Sequence, residues 1–129
     1  MKKLFFALIA LLSVLTSCSN DDDKEPQNTS RTLRYELTGN FSGSNIIAVY
    51  TTASGGTVTE QIASLPWSKE ITFDSTVRGA NLVVSGAGGT GGQQTTLIIK
   101  RGGKQLGTPT TATADAGGIF TISLPVIIF

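Results

Sequence analysis

The stretch VVSGAGGTGGQQTTLIIKRGG (Val83–Gly103) separates two possible folds for this chain. Gly86 to Gly91 match the G-x-G-x-x-G pattern of loops that hold the pyrophosphate of a dinucleotide, and a strand-like segment precedes them. Such a loop requires a helix directly after the glycines, because the N-terminus of that helix binds the phosphates. Here a β-branched run from Gln93 to Ile99 follows, and Gly102-Gly103 ends it before three helical turns could form. The stretch therefore predicts the bend of a β-hairpin and no nucleotide site.

The rest of the chain after residue 32 alternates between apolar and polar residues with a period of two. Leu33, Tyr35 and Leu37 share one face of a predicted half-buried strand. Further extended runs are predicted at Asn45–Thr52, Thr57–Ala63, Trp67–Asp74, Asn81–Ser85, Thr95–Lys100 and Ile119–Leu124. No window shows a sustained helical period. We therefore predict an all-β domain over residues 33–129, an antiparallel β-sandwich of seven to eight strands.

Residues 1–17 are predicted to be a secretory signal peptide. A basic start is followed by Leu4–Leu15, a 12-residue apolar run, which is shorter than the ~20 residues that a membrane-spanning helix needs. Leu15-Thr16-Ser17-Cys18 resembles the bacterial lipobox, in which small residues precede a cysteine that receives a lipid through its thiol. We expect Cys18 to be lipidated and to become the first residue of the mature protein. The alternative is an ordinary signal peptide that happens to contain a cysteine.

Residues 18–32 are predicted to be the lipidated cysteine followed by a disordered acidic tether. Ser19–Thr32 contains no aliphatic or aromatic residue, so it cannot bury apolar surface. The run Asp21-Asp22-Asp23 resembles the acidic export signal of Bacteroides-type surface lipoproteins; the alternative is a plain solvated spacer. We expect a lipid-anchored protein of the cell envelope, placed in the outer membrane and, if the acidic run acts as that signal, on the cell surface.

The sequence predicts no catalytic site, no metal site and no cofactor. The chain has no histidine, which excludes Ser-His-Asp and Cys-His catalysis and removes the commonest metal ligand. Glu70 and Asp74 are expected on one strand face with Cα atoms ~13 Å apart, farther than the ~5–9.5 Å between the carboxyl groups of a glycosidase pair. Glu36 or Glu60 could lie across a sheet from either, but a solvated strand face is the expected role of all four.

The charge of the chain excludes one class of partner. The formal net charge is +1, and the basic residues do not gather into the basic face that nucleic-acid binding requires. No nucleic-acid partner is therefore expected.

The aromatic residues offer a thin set for a glycan-binding surface. Trp67 shares its phase with Ile71 and Phe73, so it is interpreted as a core residue rather than a carbohydrate platform. The aromatic residues that remain as candidates for exposed contacts are Phe41, Tyr50 and Phe129.

Two further features concern the borders of the sandwich. Lys69 falls on the inward phase of its strand, a device that discourages pairing with another chain at a sheet edge. The segment LPVIIF (Leu124–Phe129) is interpreted as a final strand that closes the sandwich. The alternative is an apolar tail that docks on a partner.

Several motifs in the domain resemble the mycobacterial membrane protein small (MmpS) transport-accessory family. The most specific is the block Leu65-Pro66-Trp67-Ser68-Lys69. The other matching positions are Tyr35, Leu37, Gly39, Val49, Tyr50, Ile71, Ile99 and Gly102-Gly103-Lys104. Their order agrees with the family from about Arg34 to Leu124. Two features depart from it: Leu97 and Leu124 stand where the family usually has a cysteine pair, and the expected lipid replaces a membrane helix.

The resemblance implies an immunoglobulin-like β-sandwich outside the cytoplasm and a role for the motif residues in the fold. It also implies a partner, a membrane transporter of the resistance-nodulation-division type. We expect a non-catalytic envelope lipoprotein that contacts the membrane through the lipid on Cys18 and serves as an adaptor of a membrane assembly. The alternative is a surface-exposed binding module for a glycan or host ligand, because one sandwich fold supports many functions.

Overall fold

The computed structural model describes residues 28–129. Cys18, the predicted signal peptide and the acidic run Asp21–Asp23 lie outside the described residues. Residues 28–129 form strands and turns without a helix, so the all-β prediction is confirmed. Among these residues there is no helical segment with the length and apolar character needed to cross a bilayer.

The described residues form eleven strands. They are β1 (Thr32–Gly39), β2 (Asn45–Thr51), β3 (Thr57–Ile62), β4 (Trp67–Thr72), β5 (Gly79–Ala80), β6 (Leu82–Ala87), β7 (Gln94–Arg101), β8 (Lys104–Gln105), β9 (Thr110–Thr113), β10 (Phe120–Ser123) and β11 (Ile127–Ile128). Three strands, β5, β8 and β11, contain two residues each, and the other eight contain four or more. β9 was not predicted, because Thr110-Thr111-Ala112-Thr113 lacks an alternation of large apolar and polar residues.

Two antiparallel sheets share one hydrophobic core. Sheet A has the order β4-β1-β7, with β8 and β9 both paired to β7; sheet B has the order β10-β6-β2-β3. A separate ribbon joins β11 to β5. Buried side chains from both sheets belong to a single apolar cluster, as in a β-sandwich. The connectivity of an immunoglobulin-like domain stays a prediction.

The inward faces of the strands supply the core through simple alternation. Leu33, Tyr35 and Leu37 of β1 are fully buried, as predicted. The register sets Tyr35 opposite Ile99 of β7 and Leu37 opposite Leu97, so apolar side chains of neighbouring strands lie side by side. Burying one such side chain contributes roughly 1.5–3 kcal/mol. The central strands of sheet A are therefore fixed by their inward rows.

The glycine-rich stretch is a crossing between the sheets. β6 pairs with β2 and β10 in sheet B, whereas β7 pairs with β1 and β9 in sheet A. Residues 88–93 therefore carry the chain from one sheet to the other, and the prediction of a β-hairpin bend was wrong. The glycines are followed by strand β7 rather than by a helix. Local alternation predicts a strand on each side of the turn but does not say which sheet each strand joins.

The sandwich has two ends. The end where the described chain begins, called the near end, contains residues 28–31, 52–56, 73–78, 102–103 and 124–129. The opposite end, called the far end, contains the loops 40–44, 63–66, 88–93 and 114–119.

The folded domain begins before the predicted boundary at Leu33. β1 starts at Thr32, and the Asn28 side-chain amide donates to the carbonyl of Arg101 at 2.8 Å. The Arg31 guanidinium donates to the carbonyl of Asp74 at 2.7 Å. The last residues of the predicted tether therefore belong to the near end. Composition alone does not reveal this, because these residues are held by hydrogen bonds to backbone carbonyls rather than by apolar burial.

The final segment returns along the near end. Ile127 pairs with Ala80 and Ile128 with Gly79, and the Phe129 amide donates to the carbonyl of Arg78 at 3.0 Å. The segment thus forms a strand, as predicted, but only over two residues. That strand belongs to the ribbon with β5 and extends neither main sheet.

A first prediction concerns Tyr35, whose buried hydroxyl has no hydrogen-bond partner among the described residues. Burial, and then the neighbouring Tyr50, raises the pKa of Tyr35 to about 12. An unpaired buried hydroxyl costs roughly 1–3 kcal/mol, so Tyr35→Phe is expected to raise the free energy of unfolding by about 1 kcal/mol in urea titrations. A loss of about 1 kcal/mol or more would show that the hydroxyl is hydrogen-bonded.

The same residue predicts a dependence on pH. Because the folded-state pKa is raised above the ordinary value of 10.0, the unfolded chain loses the Tyr35 proton first as the pH rises. The contribution of Tyr35 to the free energy of unfolding should therefore be constant below pH 10. It should fall as the pH rises from 10 to about 12. Tyr35→Phe should reduce that slope.

Candidate functional site

Several motif residues converge on one carboxylate at a lateral edge of the sandwich. β3 is an outer strand of sheet B and β4 is an outer strand of sheet A. Glu60 of β3 accepts hydrogen bonds from the Tyr50 hydroxyl at 2.8 Å and from the Trp67 indole nitrogen at 2.9 Å. Lys69 Nζ lies 3.4 Å from Glu60 Oε1 and completes an ion pair. We call Tyr50, Glu60, Trp67 and Lys69 the Glu60 cluster.

Strand register explains why these side chains meet. In sheet B, Ala48 lies opposite Glu60 and Tyr50 lies opposite Val58, so Tyr50 and Glu60 are diagonal neighbours on one face. In sheet A, Trp67 and Lys69 occupy alternate positions of β4 and share the inward phase. Because β4 is an outer strand, its inward side chains reach past the core towards β3. The Glu60 cluster therefore ties sheet A to sheet B.

The electrostatics of the cluster favour an ionised glutamate. The hydrogen bond from Tyr50, supported by Trp67 and Lys69, lowers the pKa of Glu60 below its ordinary value. Burial, and then the Glu60 carboxylate, raises the pKa of Tyr50. A carboxylate with a lowered pKa is a weak proton acceptor near neutral pH. The arrangement is thus suited to holding two edge strands together rather than to moving a proton.

The neighbouring motif residues lie on the other side of β4. The Ser68 hydroxyl accepts from Arg34 Nη2 at 3.2 Å on the outer face of sheet A. Pro66 precedes β4 and follows a cis peptide bond with Leu65. Pro66, Trp67 and Ser68 also border a shallow depression of about 340 Å³ on that outer face.

The first two motif residues have separate places in the fold. Tyr35 is buried in the core and is not part of the Glu60 cluster, although its ring centroid lies 6.5 Å from that of Tyr50. Gly39 ends β1 with a φ of 142°, and a side chain there would collide with the carbonyl of Gln94. Gly39 is required because the chain turns closely over the start of β7.

Three interpretations from sequence are corrected by these positions. Glu60 was expected on a solvated face, but it is half-buried and accepts from three side chains. Tyr50 and Phe41 were candidates for exposed contacts, and both are buried. Phe129 is partly buried, and the Cζ atoms of Arg31 and Arg101 lie 4.8 and 5.1 Å from its ring centroid. The sequence carries no signal for Glu60, because its partners come from strands that only the register brings near.

The other strand carboxylates form a charged ladder on the outer face of sheet A. Glu36 pairs with Arg34 at 2.9 Å and with Lys100 at 3.2 Å, and Arg34 lies 3.9 Å from Glu70. Hydrogen bonding to Arg34 and then to Lys100 lowers the pKa of Glu36. Asp74 follows the end of β4 in a near-end loop, so it does not share a strand face with Glu70. Residues 28–129 contain no group of three or more acidic or sulfur side chains that could hold a metal.

The far end presents a second surface, in which polar side chains tie the loops together. Gln93 Oε1 accepts from the Ser42 amide at 3.1 Å and from the Thr90 amide at 2.9 Å. Gln93 Nε2 donates to the Ser42 hydroxyl at 2.9 Å. Asp115 Oδ1 accepts from the amides of Gly117 and Ile119 at 2.9 and 3.0 Å. These bonds hold loops 40–44 and 88–93 together and fix the turn at residues 115–119.

The glycines of the G-x-G-x-x-G stretch serve the same surface by packing. Side chains added at Gly86 or Gly89 would collide with the ring of Phe41. Phe41 in turn meets Phe120 edge to face, with ring centroids 4.7 Å apart. A side chain at Gly91 would lie 2.8 Å from the carbonyl of Asp115. The glycines thus permit an aromatic ring and a second loop to approach the backbone, a role that the pattern shares with phosphate loops.

Comparisons with known proteins add no relative: no family model matches the chain, and no curated protein or solved structure matches it either. The resemblance to the MmpS family stays a prediction that rests on the quoted motifs.

A second prediction tests the Glu60 cluster. Because the folded-state pKa of Glu60 is lowered, the stability it contributes is present above the ordinary glutamate pKa and is lost as the pH falls through the lowered value. Glu60→Gln is expected to reduce the free energy of unfolding by about 1 kcal/mol at pH 7, with a smaller difference at low pH. Urea unfolding at several pH values measures both.

The matched control is Glu70→Gln on the neighbouring edge strand. The Glu70 side chain is 59% exposed and its contact with Arg34 is 3.9 Å long, so its loss should change stability by no more than about 0.5 kcal/mol. Equal effects of the two substitutions would mean that the Glu60 cluster does not tie the sheets.

A third prediction tests the packing of the far end. Gly89→Ala places a methyl group against the Phe41 ring and is expected to lower the free energy of unfolding by about 1–3 kcal/mol. Gly56→Ala is the control, because its added carbon lies 3.3 Å from only the movable Thr52 hydroxyl. If the two variants are equally stable in thermal unfolding, the far-end glycines are not needed for packing.

Proposed function

We propose that the chain is a non-catalytic cell-envelope lipoprotein that serves as an adaptor or accessory of a membrane assembly. The lipid on Cys18 holds it in the outer membrane, and the far end makes the contact with the partner. The observation that carries this proposal is the separation of the two ends: the described chain begins at the near end, and the ordered loop surface lies at the opposite end.

The position of Asn28 supports the orientation. Asn28 follows Cys18 by ten positions in the sequence, a length whose mean reach as a coil is roughly 18 Å. Asn28 and Ser30 bond to Arg101 at the near end. An anchor at Cys18 therefore keeps the near end next to the membrane and leaves the far end free to meet a partner.

The character of the far end supports a contact role. Residues 40–44, 63–66, 88–93 and 114–119 contain no lysine or arginine, and Asp115 is their one charged residue. Ile119 is a large apolar side chain that is 49% exposed there. Loops already held by side-chain hydrogen bonds lose less entropy when they bind. The MmpS resemblance suggests a transporter of the resistance-nodulation-division type as the partner.

The state of the carboxylates supports a non-catalytic role. Glu60 accepts from Tyr50, Trp67 and Lys69, and Glu36 is paired with Arg34 and Lys100. Both carboxyl groups have a lowered pKa, which makes them poor general acids near neutral pH. Their partners hold them in structural contacts.

One observation favours the second candidate, a surface binding module for a glycan or host ligand. The depression on the outer face of sheet A combines the apolar ring of Pro66 with the polar groups of Arg34, Glu36 and Ser68, whereas the Trp67 indole is directed inward to Glu60. Sugar-binding sites pair an apolar or aromatic surface with polar groups that fix the hydroxyls. Protease treatment of intact cells separates the candidates, since digestion from outside favours this module over a partner inside the envelope.

The proposed anchor gives a fourth prediction. Cys18→Ala should abolish incorporation of labelled palmitate into the full chain, because the thiol is the acceptor. Ser17→Ala keeps a small residue before the cysteine and should remain labelled. Unchanged labelling of Cys18→Ala would show that the anchor lies elsewhere.

The contact surface is tested by photocrosslinking in cells. A photoreactive phenylalanine analogue placed at Thr90, in the far end, should capture one envelope protein reproducibly. The same analogue at Lys104, near the opposite end, is the control and should not capture that protein. Capture from Lys104 but not from Thr90 would overturn the assignment of the far end as the contact surface.

A further inference from the structure

An apolar groove opens beside β7 towards the near end. Its volume is about 530 Å³, within the range of small-molecule sites, roughly 300–1,000 Å³. Leu97 and Ile99 of β7 form its floor, Leu106 and Thr110 one wall, and Val126 of the final segment the other. The predicted substitutes for a cysteine pair, Leu97 and Leu124, both line this groove.

The pairing of β7 explains why the groove is open. β9 pairs with β7 only as far as Thr110 opposite Leu97, and β8 pairs with its last two residues, Lys100 and Arg101. After the Leu106 amide, which donates to the Ile99 carbonyl at 2.7 Å, the chain leaves the sheet until β9 begins. On the other side, the final segment pairs with β5 and not with β7 or β9. Two inward positions of β7, Leu97 and Ile99, therefore border a gap between two irregular segments, where their side chains are 1% and 8% exposed.

The rim of the groove carries exposed apolar side chains. Leu106, Val126 and Ile128 line the groove and are 39%, 52% and 68% exposed. Leaving apolar area in water forgoes about 25 cal/mol for each Å². A contiguous apolar surface around a concave site is typical of a ligand-binding groove.

Arg101 gives the groove a charge at one end. Alternation along β7 places Leu97, Ile99 and Arg101 on one face, so two apolar residues and a guanidinium follow in a row. Arg101 Nε donates to the carbonyl of Ser30 at 2.7 Å, and Nη1 lies 3.4 Å from the carbonyl of Ile128. Within residues 28–129 no carboxylate forms an ion pair with it: the ion pairs there involve Arg34, Lys69 and Lys100.

We propose that this groove binds a long-chain fatty acid, with the alkyl chain packed against the exposed side chains of Leu106, Val126 and Ile128 and the carboxylate at Arg101. An apolar groove that ends in a guanidinium with no ion-paired carboxylate among residues 28–129 is complementary to an amphiphile with one chain and one anionic head group. The ligand does not depend on the proposed lipid at Cys18 or on the far-end contact.

The experiment uses the full chain in lipid nanodiscs and palmitic acid that carries a photoreactive diazirine at its terminal carbon. Mass spectrometry should locate the label on the peptides that contain Leu106 and Val126. Excess unmodified palmitate should reduce that labelling at least fivefold. The matching photoreactive alcohol and a phospholipid with the same chain should label these peptides several-fold less, because neither presents a free carboxylate.

Three variants test the site. Arg101→Gln should reduce palmitate labelling to the level of the alcohol, whereas Lys104→Gln, a neighbouring cation outside the groove lining, should leave it unchanged. Thr110→Trp fills the groove and should reduce labelling by both probes. Arg101 also bonds to Ser30, so Arg101→Gln can lower the stability of the fold as well as remove the charge. If thermal unfolding shows that loss of stability, Arg101→Lys is the second variant. It retains the charge and should show more palmitate labelling than Arg101→Gln.

Several results would overturn the proposal. Equal labelling at Val58 or Ile119, which are exposed apolar residues outside the groove lining, would show nonspecific partition. Equal labelling by acid and alcohol would remove the role of Arg101, and labelling by the phospholipid as strong as by palmitate would point to a membrane surface. A dimer in light scattering that Val126→Glu dissociates would assign the groove to a second copy of the chain.

Discussion

The inward row of β1 sets the position of both unusual features of the sandwich. β1 is a central strand that pairs with β4 on one side and with β7 on the other. Tyr35 lies opposite Lys69 and Ile99, and Leu37 lies opposite Trp67 and Leu97. The same two buried positions therefore align the Glu60 cluster on one flank and the groove floor on the other. A slip of one residue would turn β1 outwards and remove both.

The alternation of apolar and polar residues predicts most of the strands from the sequence, but it does not predict which strands pair with one another. Leu33, Tyr35 and Leu37 alternate so regularly that the inward face of β1 follows from the pattern alone. The choice of sheet for β6 and β7 does not, because a tight glycine turn serves a hairpin and a crossing equally well. Glu60 shows the same limit: its environment comes from Tyr50, Trp67 and Lys69, which only long-range register brings together. β9 was missed for a different reason, since threonines in a row carry no burial signal.

The two lateral flanks of sheet A differ in how they are closed. On the β4 flank, a carboxylate, an indole and an ammonium group close the gap to sheet B and satisfy one another. Charge at an outer strand also discourages pairing with another chain. On the β7 flank, short strands β8 and β9 cover only parts of β7, and the final segment covers the rest incompletely. One flank is therefore sealed by polar contacts, while the other keeps apolar surface accessible.

The difference between the β4 flank and the β7 flank determines which of them is suited to bind a ligand. Tyr50, Trp67 and Lys69 already bond to the Glu60 carboxylate. A ligand that binds there would have to break these hydrogen bonds. Hydrogen bonds to a charged group are stronger than those between neutral groups. In the groove, the apolar side chains of Leu106, Val126 and Ile128 remain exposed. The Arg101 guanidinium bonds to two carbonyls and lies near the Phe129 ring, and no carboxylate of residues 28–129 forms an ion pair with it. Filling the groove removes apolar surface from water and breaks no ion pair of the described residues. For a ligand with an apolar chain and an anionic head, the β7 flank is thus the favourable side of the sandwich, and the β4 flank is its structural seam.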